Sequence, residues 1–164
     1  VIVAGMGRVG QIVSRVLAAQ NIPHTVLEPS VEQVEFSRRF ENRLYYGDPS
    51  RPELLRAAHA DRAKVLVVAV DDPELSVRTV RIAKRLFPHL KIYARARNRQ
   101  HVFKLMDLGI DYAVRETFHS SLVLTRRTLE GLGVDPETAA ARVERFREHD
   151  QAILHQQYLI HDDE

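Results

Sequence analysis

The sequence predicts an α/β fold: a doubly wound parallel sheet of about six strands followed by a C-terminal helical extension. Three observations carry that expectation. Strand-like and helix-like stretches alternate from Val1 to Val114, the pattern of crossover units that place helices on both faces of a sheet. The first stretch, Val1–Ala4, runs straight into Gly5, Gly7 and Gly10 and then into a helical pattern. A G-x-G-x-x-G spacing has physical meaning in that strand–turn–helix setting, and it marks the fold as Rossmann-like. After Arg115 the alternation stops and only helical patterns remain, so residues 1–115 and 116–164 are expected to be separate parts.

Each element has its own signal. Val9, Ile12, Val13, Val16 and Leu17 recur at helical spacing and mark the buried stripe of the first helix. His24–Glu28 reads as the second strand, Val31–Phe40 as a helix and Arg43–Tyr46 as the third strand. Ser50-Arg-Pro-Glu53 reads as a capping box opening a short helix, with Pro52 in the first turn, where its missing donor costs nothing. Lys64–Val70 is apolar on both sides, which places it centrally in the sheet. Asp72-Pro73 opens a helix carrying Val77, Val80, Ile82 and Leu86, and Pro88 helps to end it. Lys91–Ala94 is the fifth strand, Gln100–Leu108 a helix stopped by Gly109, and Asp111–Val114 the sixth strand.

Residues 116–132 read as one helix, Gly131 and Gly133 as a break, and Asp135-Pro136 as the start of a longer helix reaching Ile160. Leu122, Leu124, Leu129, Val143, Phe146, Ile153, Leu154 and Leu159 give these helices apolar faces with no further strand to cover. A homodimer is the favoured use of those faces; a helical hairpin packed on its own domain is the alternative.

Bulk properties narrow the function. At 164 residues the chain suits one domain with a core and a small appendage. The 24 basic and 22 acidic residues nearly balance, so charge makes no case for a nucleic-acid surface. No apolar run approaches the length of a membrane span. Cysteine is absent, which removes thiol chemistry and fits a reducing compartment. The sequence starts without methionine and inside a buried-looking strand, so it is expected to be a domain excised from a longer protein.

The candidate binding residues gather at the strand ends. Gly5 allows the tight bend, Gly7 a close approach of the backbone to a phosphate, and Gly10 close packing of helix on strand. The backbone of Met6, Arg8 and Val9 belongs to the same turn, whose helix N-terminus is a preformed anion site; the Arg8 side chain is a phosphate contact or a solvated cation. Glu28 ends the second strand, where an acid accepts from ribose hydroxyls and discriminates against a 2′-phosphate, favouring NAD or AMP over NADP. Asp48 ends the third strand, either to accept from an adenine amino group or as a turn residue. Asp71 and Asp72 close the fourth strand, one as a helix cap and the other available to a ribose or a loop. Arg95 and Arg97 alternate out of the fifth strand with a surface role as the default. Arg115 stands where the sheet gives way to the terminal helices, placed for an ion pair or for bidentate capture of an anion.

Catalytic patterns are missing. There is no G-x-S-x-G elbow, no H-E-x-x-H, no cysteine to support a metal site and no second domain to hold a substrate against a nicotinamide ring. A binding protein is therefore expected rather than an enzyme, with an NAD-dependent oxidoreductase as the alternative.

The opening string Val-Ile-Val-Ala-Gly-Met-Gly-Arg-Val-Gly-Gln resembles the start of an RCK/KTN domain, the TrkA-N-like regulatory module of potassium channels and transporters. Tyr46-Gly-Asp-Pro-Ser-Arg-Pro-Glu-Leu-Leu55, Ala69-Val-Asp-Asp-Pro73, Phe87-Pro-His-Leu-Lys-Ile-Tyr-Ala-Arg-Ala-Arg97 and Arg115-Glu-Thr-Phe118 narrow the likeness to Kef-type glutathione-regulated potassium-efflux systems. The resemblance implies a domain below a membrane antiporter of the same chain, on the cytoplasmic face of the bacterial inner membrane, dimerising through its terminal helices. It implies AMP or NAD held in the Rossmann crevice without turnover. It further implies gating by glutathione or its adducts bound between subunits, and an ancillary quinone oxidoreductase as a partner of some members. An RCK subunit of a potassium uptake system or channel is the nearest alternative.

Carried across by position, two glutathione contacts of the family fall on Arg15 and Arg115. The third, an asparagine there, is Asp150 here. Glu28 stands for the usual aspartate, and His59 stands where a glycine commonly ends the short helix.

Overall fold

The first strand of the sequence, β1 (Ile2–Ala4), lies in the middle of a six-stranded sheet in the computed structural model, which describes residues 1–38 and 43–161. On one side β1 pairs in parallel with β2 (Thr25–Glu28), and β2 pairs with β3 (Leu44–Tyr46). On the other side β1 pairs in parallel with β4 (Val65–Val68), and β4 with β5 (Lys91–Ala96). With β6 (Tyr112–Arg115) at the far edge, the order is β3-β2-β1-β4-β5-β6. The strand order therefore reverses between β1 and β4, the switch point at which open α/β sheets form their ligand crevice. The predicted Rossmann-like sheet is observed.

Helices α1 (Arg8–Ala19), α2 (Val31–Ser37), α3 (Pro52–Ala57), α4 (Pro73–Leu86) and α5 (Arg99–Asp107) make the crossovers. Val3, Met6, Val26, Val34 and Leu44 form a buried cluster with Val13, Leu17 and Val67 packed against it. The last residues expected in the second helix, 39 and 40, lie outside the described residues.

The structure corrects three local readings. In α1 the buried face is centred on Gly10 and Ser14, with Val13 and Leu17 half-buried; Ile12 and Val16 are exposed. Close helix–strand contact at Gly10 selects the small residues, so the apolar stripe is rotated away from its expected centre. The capping box at Ser50 does not form: Arg51 is the N-cap of α3, without a side-chain cap. The Ser50 hydroxyl and amide both donate to Asp48 Oδ1 instead, at 2.6 and 2.8 Å. Arg95 is buried, not at the surface.

The compact units are Val1–Val114 and Arg115–Glu164. In the second, α6 (Phe118–Gly131) and α7 (Pro136–Ile160) pack on each other. Leu122 and Ala139 are buried there, whereas Leu124, Phe146, Leu159 and Ile160 are each more than half exposed. Asp135 caps α7 by accepting from the Thr138 amide at 3.0 Å.

Candidate nucleotide crevice and effector residues

Backbone contact dictates the glycine turn. Gly5 has φ +106°, and a Cβ there would stand 2.7 Å from the Val70 amide nitrogen. A Cβ on Gly10 would stand 1.9 Å from the Gly5 carbonyl oxygen. Only glycine lets β1, the end of β4 and α1 approach this closely. Gly7 is the N-cap of α1, with no side-chain cap and no acidic residue in the first turn. That N-terminus carries the partial positive charge of the helix with no side-chain carboxylate of its own helix to offset it.

Around the turn lies a crevice of about 300 Å³, within the range of small-ligand sites. It is lined by Gly5, Gly7, Glu28, Pro29, Ser30, Gln33, Ala69, Val70, Asp71, Asp72 and Leu75. The structure thus brings together five of the residues expected from sequence: Gly5, Gly7, Glu28, Asp71 and Asp72. Gly10 and Met6 support it from beneath; the Met6 side chain belongs to the core. Arg8 is exposed and Val9 half-buried in the first turn of α1.

Glu28 has a structural part in the turn. Its Oε1 accepts from the Met6 amide at 2.8 Å and its Oε2 from the Ser30 amide at 2.7 Å, and the residue is only 6% exposed. Gln33 completes the clamp by donating through Nε2 to the Met6 carbonyl at 2.9 Å and to Ser37 Oγ at 3.0 Å. Both backbone polar groups of Met6, its N–H and its C=O, are therefore held by side chains from outside the turn.

On the opposite wall Asp72 caps α4, accepting from the Glu74 amide at 3.1 Å. Asp71 remains exposed and forms a close ion pair with the buried Arg95 guanidinium. Behind this pair, His101 is buried at the start of α5. Its Nδ1 accepts from the Arg97 amide at 3.0 Å, so the proton sits on Nε2, which faces Ser76 Oγ at 3.0 Å. Burial pushes the His101 pKa below its ordinary value, with repulsion from Arg95 and Lys104 adding to it and Asp72 opposing.

Asp48 is placed elsewhere. Its Oδ1 is taken by Ser50, and it does not line the crevice. Burial raises its pKa, but the Ser50 hydrogen bonds and the charges of Arg78 and Arg51 outweigh that and hold it below the usual carboxylate range. The turn role is the one the geometry displays.

The three expected effector residues divide between the units. Arg15 is exposed on α1, beside a shallow hollow lined by Met6, Gln11, Ser14, Ala18, Phe36 and Ser37. In the second unit Arg115 Nη2 lies 2.7 Å from Asp150 Oδ2, both side chains largely buried. The guanidinium carbon sits 3.7 Å from the Phe118 ring centroid. The carboxylate and the aromatic face thus hold the cation oriented and partly desolvated.

Gln33 and Arg95 were not among the expected site residues. Arg95 carried a signal, since a charged residue at the carboxyl end of a central strand lies at the crevice edge. Gln33 carried none, because its role depends on how α2 lies over the turn.

Comparison with known proteins gives two matching family models: the TrkA-N domain over residues 1–116 and the potassium efflux system KefB C-terminal domain over 120–164. The glutathione-regulated potassium-efflux system protein KefC of Klebsiella pneumoniae is 42% identical over 147 residues, 90% of this chain and 24% of that protein. The chain spans about a quarter of the length of the curated relatives it matches. A solved structure described as the Shewanella denitrificans Kef CTD in AMP bound form superposes with a TM-score of 0.88 at 37% identity, covering 97% of this chain and 98% of that one. The TrkA-N domain of the inner membrane protein ybaL of Escherichia coli superposes at 0.68 with 27% identity, covering 80% and 93%. The resemblance to an RCK/KTN domain of Kef-type systems is borne out.

Proposed function

Because the chain belongs to the TrkA-N domain family, we propose that it is the regulatory part of a potassium/proton efflux antiporter, a ligand sensor and not an enzyme. Residues 1–115 hold AMP or NAD in the crevice; residues 116–164 serve dimerisation and effector binding. The observation that carries this reading is the crevice at the β1/β4 switch point, on a chain that superposes almost end to end with a Kef domain described as AMP-bound.

Gly7, Arg8 and Val9 supply the phosphate end, with the uncapped α1 N-terminus as its anion site, and Gly5, Met6 and Gly10 shape the turn that presents it. Glu28, Asp71 and Asp72 flank the ribose; Asp48 contributes as a turn residue. Glutathione or an adduct is the effector, its carboxylates directed to Arg15 and Arg115. Asp150 already engages Arg115, so an incoming carboxylate has to compete with it. The homodimer forms through α6 and α7, whose exposed Leu124, Phe146, Leu159 and Ile160 are apolar surface of the kind a partner copy buries. The membrane antiporter domain of the same protein lies outside this sequence, the sensor works at the cytoplasmic face of the bacterial inner membrane, and a quinone oxidoreductase is a further partner.

Gating requires the effector to bind two arrangements of the dimer with different affinity, since equal affinity shifts nothing. Mass spectrometry of the ligand released from purified protein, with calorimetry using AMP, NADH and an S-substituted glutathione, tests the reading. A micromolar or tighter nucleotide complex without NADH oxidation on carbonyl acceptors is expected. Steady hydride turnover would overturn it in favour of an oxidoreductase.

A further inference from the structure

An exposed carboxylate faces the anion-binding turn. Asp71 follows Ala69 and Val70 beyond the end of β4, lines the crevice, and its side chain is 64% exposed. A Cβ placed on Gly7 would stand 3.6 Å from Asp71 Oδ2, so the carboxylate looks across at the N-terminus of α1. Any anion brought to that helix end meets a negative charge on the opposite wall. Coulomb's law makes such an encounter costly at a few ångströms in a partly desolvated cleft.

The chain sets a cation behind it. The β4–β5 register ends with Val68 opposite Ala94, so the next residue of β5, Arg95, arrives at the same end of the sheet as Asp71. Its guanidinium, 2% exposed, forms the close ion pair with Asp71 Oδ1. A guanidinium stays charged at every physiological pH. The pair is thus a permanently neutralised carboxylate whose orientation is set from inside the protein.

We infer that Arg95 is a specificity-determining positioning residue of the crevice. It cancels and aims the Asp71 charge, so that the cleft admits a nucleoside monophosphate on the glycine turn and not only the uncharged nucleoside. This rests on the reading of the crevice as an adenylate site. Arg95 itself touches no ligand in the argument; it acts through Asp71.

The test measures AMP and adenosine binding by calorimetry on this 164-residue chain and follows the ratio of the two affinities. Arg95→Met leaves Asp71 uncompensated and lowers the AMP-to-adenosine ratio on the order of tenfold to a hundredfold. Asp71→Asn, which keeps the side chain's shape and an oxygen for Arg95, removes the negative charge that faces the turn and raises the ratio about tenfold. The double variant returns it to within about threefold of the parent. Opposite signs with mutual rescue are a signature that a merely structural arginine does not produce. Equal loss of AMP and adenosine in Arg95→Met, or an unmoved ratio in Asp71→Asn, overturns the assignment while leaving the adenylate site standing. A parent chain that binds neither ligand overturns both.

Discussion

Replacing Glu28 with glutamine keeps the side chain's length and removes its charge, which separates a ribose-binding role from a structural one. The carboxylate accepts two backbone hydrogen bonds, from Met6 at 2.8 Å and from Ser30 at 2.7 Å, in a residue 6% exposed. A glutamine has one acceptor oxygen. Directed at the more buried Met6 amide, it leaves its NH2 facing the Ser30 N–H, donor against donor, so one charge-assisted bond is lost and the other is weakened. Hydrogen bonds to charged groups contribute about 1.5–3 kcal/mol each, and solvent reaches the part-buried Ser30 amide, so the net loss is about 2 kcal/mol. For a chain of this size that is a drop of about 4–8 °C in Tm. Thermal and urea denaturation of nucleotide-free protein are the assay. Glu28→Gln melting with the parent while nucleotide affinity falls would refute the clamp, because only a ribose contact would then have been removed.

Three further substitutions or conditions probe other parts of the molecule. Asp150→Asn removes the built-in carboxylate that engages Arg115 and should tighten an S-substituted glutathione about tenfold by calorimetry; a weaker complex would mean that Asp150 holds the effector's ammonium. His59 sits at φ +62° where α3 ends, with the Ala60 amide bonded to the Leu55 carbonyl and the His59 amide to that of Arg56, the two bonds of a Schellman turn. His59→Gly should stabilise the chain by about 1 kcal/mol by removing left-handed strain, and a lower Tm would refute that. Finally, the His101 pKa is depressed in the folded state, so as pH falls below about 6.5 the unfolded chain binds the extra proton first and stability is lost through that window, while above it the histidine adds no slope. Urea midpoints measured from pH 8 to pH 5 should show this decline in the parent and a shallower one in His101→Gln; parallel curves would exclude His101 as the source.

Much of this is legible in the sequence, and the exceptions share a cause. Alternation of apolar strands with helical spacing reports the sheet because each crossover must bury one face, and glycines at 5 and 10 report a turn that tolerates no Cβ at either position. Positions at strand ends exposed Glu28, Asp71 and Asp72 as candidates, since parallel strands deliver their carboxyl ends to one edge. Arg95 was misread because two-residue alternation says which side of a strand a residue faces, not whether a counter-charge waits there. Asp71, distant in sequence, supplies it. Ser50 was misread as a cap because Asp48 competes for its hydroxyl. The α1 stripe was misplaced because closeness at Gly10 outranked apolar count. Each failure is a tertiary contact overriding a local rule.

The crevice nucleotide and the effector call for separate tests, because binding and gating are different demands. A ligand that binds only folded protein stabilises it by mass action, about 2.7 kcal/mol at a hundredfold excess over Kd, which is about 5–10 °C in Tm for a chain this long. That gain arises whether or not two arrangements of the proposed dimer bind it differently. Gating needs a difference, and any difference is reciprocal: if AMP alters the affinity for a glutathione adduct by some factor, the adduct alters AMP affinity by the same factor. A nucleotide that serves as a fixed prop should raise Tm in proportion to the logarithm of its concentration while changing adduct affinity by less than about threefold, a coupling below roughly 0.7 kcal/mol. Calorimetric titration of the adduct with and without saturating AMP reads that factor directly. A tenfold change would make the adenylate a second signal, and the crevice a sensor in its own right.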